Sequence, residues 1–106
     1  MSNDENMAII KQIPRRERLE ALAEEANELS QAALKVIRAE KLSQNPTPKT
    51  EYEARTTLFE EFYDVLICAL ALGIIIPGEE TLLNNFKVKR WADRIKGAEN
   101  NNDNVW

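Results

Sequence analysis

The sequence predicts an all-α protein: one domain over residues 1–106, built as a helical bundle whose core is completed by dimerisation. Three observations lead there. The composition is 43% hydrophobic and 30% charged with only 3 Gly and 4 Pro, a balance that favours helices over turn-rich sheets. Apolar residues recur at threes and fours over two long stretches. The second of those stretches is apolar nearly all round, so one chain of 106 residues cannot enclose it alone.

Residues 1–13 are mixed in character and expected to be flexible, with a helical turn around Met7-Ala8-Ile9-Ile10. Pro14 stands where the first position of a helix tolerates a missing amide proton. From Arg15 to about Leu42 the residues Leu19, Leu22, Ala26, Leu29, Ala33, Val36 and Ile37 draw one stripe on a charged cylinder, the pattern of an amphipathic helix. Ser43 to Lys49 cannot continue it, because Pro46 and Pro48 push their predecessors out of helical geometry.

Thr50 followed by Glu53 has the spacing of a capping box. The helix it opens is expected to run to about Leu72, with Gly73 and Pro77-Gly78 ending it. Its apolar second half asks for cover from another subunit, hence a homodimer or a dimer of dimers. A third long helix is expected from about Glu79 to Lys96, carrying Leu82, Leu83, Phe86, Trp91 and Ile95 beside Lys87, Lys89, Arg90 and Arg94. The tail over 97–106 is Asn-rich and expected to be flexible.

A net charge of −4 and a pI near 4.9 argue against a nucleic-acid polymer as partner, since no surface is built to neutralise many phosphates. The one cysteine, Cys68, lies in an apolar run and is expected to be a buried, inert thiol in a reducing compartment. The longest apolar run, Val65 to Ile76, would span roughly 18 Å as a helix, against about 30 Å of bilayer hydrocarbon. No membrane association follows, and with no basic, apolar start at Met1-Ser2-Asn3-Asp4-Glu5 the expected location is the cytoplasm.

Two acidic constellations carry chemistry. In Glu24-Glu25-Ala26-Asn27-Glu28, residues three and four apart project from one side of a helix, about 5–6 Å apart at Cβ. Glu25 borders the apolar stripe, with Glu24 and Glu28 further round, so Glu25 and Glu28 can share a cation; a solvated acidic face would show the same spacing. In Glu60-Glu61-Phe62-Tyr63-Asp64 the surroundings are harsher, because these are the only charges between Thr57 and Pro77. Two like charges about 4 Å apart repel by about 4 kcal/mol at an effective dielectric of about 20, so basic groups or a metal must compensate.

If the two long helices pack antiparallel, the two acidic pairs face each other across the bundle. Carboxylate oxygens are hard ligands and suit magnesium or manganese, not zinc. The chain has no histidine, which removes zinc hydrolases, Ser-His triads and His-bearing di-iron sites. Lys35, two turns past Glu28 on nearly the same face, and Lys87, Arg90 and Arg94 on the last helix are candidates to hold phosphate oxygens, although solubilising charge looks alike.

EEANE at 24–28, followed one loop later by EFYD at 61–64, resembles the EExxE and ExxD hallmark of the MazG-like all-alpha nucleoside triphosphate pyrophosphohydrolases. The resemblance runs from Leu19 to Leu72 and less clearly through Lys87 to Ile95. It implies hydrolysis of a nucleoside triphosphate to the monophosphate and pyrophosphate, with magnesium held by Glu25, Glu28, Glu61 and Asp64. It further implies that Glu24 aids metal binding or orients the attacking water, and that Lys35, Lys87 and Arg90 clamp the phosphates. Asn27, Phe59, Tyr63 and Trp91 are candidate base contacts, and the nucleobase is left open. The alternatives are a non-catalytic acidic helical interaction module and a related pyrophosphohydrolase acting on phosphoribosyl-ATP.

Overall fold

The computed structural model describes residues 3–75 and 80–101, with side chains of the last helix described over 86–98. All its regular elements are helices: α1 (Asn3–Ile10), α2 (Arg15–Ala39), α3 (Glu51–Ala71) and α4 (Glu80–Asn101). The chain divides into two compact units, Met1–Ile74 and Ile75–Trp106, and each is described by itself. No described helix is long and apolar enough to cross a membrane.

The first unit is a hairpin of α2 and α3. Its antiparallel sense follows from two ties at opposite ends. Near the start of α2, Arg18 Nη1 donates to the Ala71 carbonyl at the end of α3 over 2.6 Å while its Nε donates to the Ile13 carbonyl over 2.8 Å. At the other end, Arg55 on α3 donates to Glu40 over 2.6 Å and to Glu51 over 3.2 Å. Arg18 thereby supplies a partner, and a positive charge, to a carbonyl that the end of a helix leaves orphaned.

Both helix ends of the hairpin close in the same way. After α3, Gly73 at φ +70 lets its N–H reach the Leu70 carbonyl and the Ile74 N–H reach that of Ala69, at 3.1 and 3.0 Å. After α2, the same pair of bonds joins Lys41 to Arg38 and Leu42 to Ile37, at 3.1 and 2.9 Å, but here Lys41 takes φ +60. That is the Schellman arrangement, which favours glycine because a Cβ is crowded in the left-handed region. The predicted cap of α3 is present: the Glu53 N–H donates to Thr50 Oγ1 over 3.1 Å, and that hydroxyl donates to Glu53 Oε1.

The core of the hairpin is thin. The buried apolar residues are Ala32, Ala54, Ala69 and Ala71, small side chains that let the two helices approach closely. On the face of α3 turned away from Ala54 and Ala69, Tyr52, Phe59, Tyr63 and Ile67 stay exposed, Tyr52 by 79% and Phe59 by 65%. Cys68 is half-buried, not the buried thiol the apolar run predicts. It borders a small groove with Ile10, Ile13, Ala21, Ile67 and Ala71, because α1 and its turn cover that end of the hairpin only in part.

Three boundaries differ from expectation. Residues 3–10 form two turns of helix where one was foreseen. The first long helix stops at Ala39, three residues early, because the Lys41 turn ends it before Leu42. The last helix runs on to Asn101 through Gly97; one interior glycine costs a helix only about 1 kcal/mol. The expected start at Glu79, the Pro77-Gly78 stop and the tail beyond 101 lie outside the described residues, as do the side chains of Leu82 and Leu83.

Candidate metal centre

The hairpin brings together three of the predicted carboxylates. Glu25 and Glu28 on α2 and Glu61 on α3 each offer a carboxylate oxygen, and those oxygens lie within 4.8 Å of one another. The cause is local and then tertiary. Three-residue spacing stacks Glu25 and Glu28 on one side of α2, and on α3 Glu61 shares its face with Ala54 and Ala69, the residues packed against α2. Glu25 and Glu61 are accordingly half-buried, whereas Glu28 is exposed.

The electrostatics are unfavourable for three bare carboxylates. Glu25 Oε2 and Glu61 Oε2 are buried without any hydrogen-bond partner. Both carboxyls are held above the ordinary value of 4.5, first by loss of hydration. For Glu25 the negative charges of Glu28, Asp64 and Glu61 add to this; for Glu61, proton sharing with Glu28 and then the charges of Glu28, Asp64 and Glu60 do. Partial burial of an unpaired acid is a cost, and a divalent cation is one group that would remove it while satisfying both orphaned oxygens.

Asp64 lies one turn beyond Glu61, exposed and outside the 4.8 Å group, although its charge is felt by both half-buried acids. Glu24 is exposed beside Glu25. Lys35 is half-buried on α2, about 10 Å along the axis from Glu28. Lys87 and Arg90 belong to the second unit, where with Trp91 and Arg94 they line a recess of about 370 Å³ on α4; spacings of three, four and seven put them on one face. Cys68, expected only as an inert core thiol, also lies near the cluster. It stands two turns past Glu61 on α3, close enough to feel the charges of Glu25 and Asp64, and burial first, then those charges, push its thiol up. The thiol therefore stays protonated, and the seven-residue spacing from Glu61 was the available signal.

No family model matches this chain, and no curated protein or solved structure is significantly similar to it.

Proposed function

We propose that the chain is a cytoplasmic, magnesium-dependent nucleoside triphosphate pyrophosphohydrolase of the MazG-like all-alpha kind, using manganese as a substitute. One observation carries this reading: Glu25, Glu28 and Glu61 converge within 4.8 Å and leave two buried oxygens unpartnered. The donor set fits a hard divalent cation, since every atom it offers is a carboxylate oxygen.

Glu25, Glu28 and Glu61 would hold the metal, with Asp64, exposed one turn on, as the fourth candidate ligand. Magnesium held there would supply neutralising charge for the triphosphate and lower the pKa of a nearby water. Water adds at the α-phosphorus and the bond to pyrophosphate breaks, with Glu24 orienting that water or taking its proton. Lys35 binds phosphate oxygens through charge-assisted hydrogen bonds.

A second copy of the chain covers the exposed α3 face of Tyr52, Phe59, Tyr63 and Ile67, which supports a homodimer as the working unit. Product analysis tests the activity: each ribo- and deoxyribonucleoside triphosphate is incubated with the protein and magnesium or EDTA. Monophosphate with pyrophosphate, formed only with magnesium, is the expected result. Diphosphate with phosphate, or no turnover, would remove the assignment, and preference for phosphoribosyl-ATP would redirect it.

A further inference from the structure

Far from the acidic cluster, the connection between α2 and α3 encloses a second polar feature. An open recess of about 450 Å³ is lined by Arg38, Lys41 and Lys49 together with Ser43, Asn45 and Thr47. Arg38 stands ten residues beyond Glu28 on α2, about 15 Å along the axis, so the recess and the carboxylates occupy different stretches of the hairpin. Its volume falls in the range of about 300–1,000 Å³ typical of small-ligand sites.

The charge balance of the lining is the decisive feature. Glu51 in its lining and the neighbouring Glu40 share one cation, Arg55, at 3.2 and 2.6 Å. Arg38, Lys41 and Lys49 have no ion pair among the described residues, and Arg38 and Lys49 are half-buried. In a chain whose net charge is −4, three cations without ion pairs outweigh the one acidic charge that Arg55 leaves over and give the recess a local positive field. Ser43 and Thr47 add hydroxyl donors and Asn45 an amide donor. Two prolines, Pro46 and Pro48, stiffen the loop and so reduce the ordering cost of binding.

We propose that this recess is a binding site for a phosphate-bearing small molecule, separate from the carboxylate cluster. A guanidinium fork and two ammonium groups with hydroxyl donors match the three acceptor oxygens of a phosphate group, which strengthen such bonds by carrying charge. A free polyphosphate and a nucleotide share that chemistry.

Titration of the full chain with inorganic pyrophosphate and with AMP, followed by ¹H–¹⁵N correlation spectra in the absence of divalent ions, tests the proposal. Saturable shifts confined to amides of residues 38–51 are expected. Arg38→Gln/Lys49→Gln should weaken binding at least about tenfold, as should Lys41→Asn, whose asparagine tolerates the left-handed turn. Glu61→Gln should leave the affinity unchanged. Tighter binding of AMP assigns the site to nucleotides, and tighter binding of pyrophosphate assigns it to free phosphate anions. Linear shifts reproduced by sodium chloride, shifts centred on residues 25–28 and 61–64, or equal affinity in the double variant would overturn it.

Discussion

Glu25 on α2 and Glu61 on α3 stand across the hairpin from each other, each with its Oε2 buried and unpartnered. Two acids in that relation destabilise the helices that carry them unless something positive joins them. The hairpin is thus less stable by itself than its helical pattern suggests, and a cation that binds only the folded chain restores the difference.

Magnesium should raise the melting temperature of the wild-type protein. At a hundredfold excess over its Kd the gain is about 2.7 kcal/mol. Glu61→Gln should melt higher than wild type without metal, because a neutral amide replaces a strained carboxylate, and should lose most of the magnesium response. Calorimetric scans of both proteins with magnesium and with EDTA make the comparison; equal magnesium shifts would contradict it.

The pH dependence has a defined sign. Glu25 and Glu61 bind protons more tightly folded than unfolded, since their carboxyls are held above 4.5. Their effect therefore favours the fold in acid, and the penalty grows as pH rises from about 4.5 through the raised folded values. Asp93, lowered by its 2.8 Å pairing with Lys89, acts oppositely and below 3.8. Subtracting the stability curve of Glu25→Gln/Glu61→Gln from that of wild type should give a difference that falls with rising pH without metal and rises with pH in magnesium, which only the wild type binds.

Lys41 and Gly73 close the two helices with the same hydrogen bonds at φ +60 and +70. Lys41→Gly should therefore stabilise the hairpin by about 1 kcal/mol in urea melts. A Cβ at Gly73 would meet nothing within 4 Å, so Gly73→Ala should cost about 1 kcal/mol through the backbone alone. Unchanged midpoints in both would show that these turns relax when mutated.

Phe59 is 65% exposed on the apolar face of α3. Phe59→Glu should convert a sedimenting dimer to a monomer with its helicity kept, because the single chain does not bury that ring. A wild-type monomer, or a dimeric variant, would exclude this face as the interface.

Much of this was legible in the chain. The stripe from Leu19 to Ile37 fixes α2, the prolines at 46 and 48 fix its interruption, and Thr50 with Glu53 fixes the start of α3. The position of Glu25 at the border of that stripe foretells its half-burial beside exposed Glu24 and Glu28. What the pattern could not show depends on which helix ends meet. The Arg18 bond to Ala71 spans 53 positions, and Arg55 chooses Glu40 only once the hairpin has closed. Lys41 in a left-handed turn runs against local preference, so no residue-type signal marks it. Glu61 joins Glu25 and Glu28 within 4.8 Å and Asp64 does not, because one turn of α3 rotates Asp64 away from the packed face.

The most direct test is the rate of pyrophosphate release from a preferred nucleoside triphosphate by wild type, Glu25→Ala and Asp64→Ala, each with magnesium and with EDTA. Because even outer-shell partners of a metal are worth 10–100-fold, loss of a ligand should slow the magnesium-dependent rate by at least about a hundredfold in both variants while their helicity is retained. Release that persists in EDTA, or that Glu25→Ala leaves intact, would contradict the carboxylate-held metal as the source of activity.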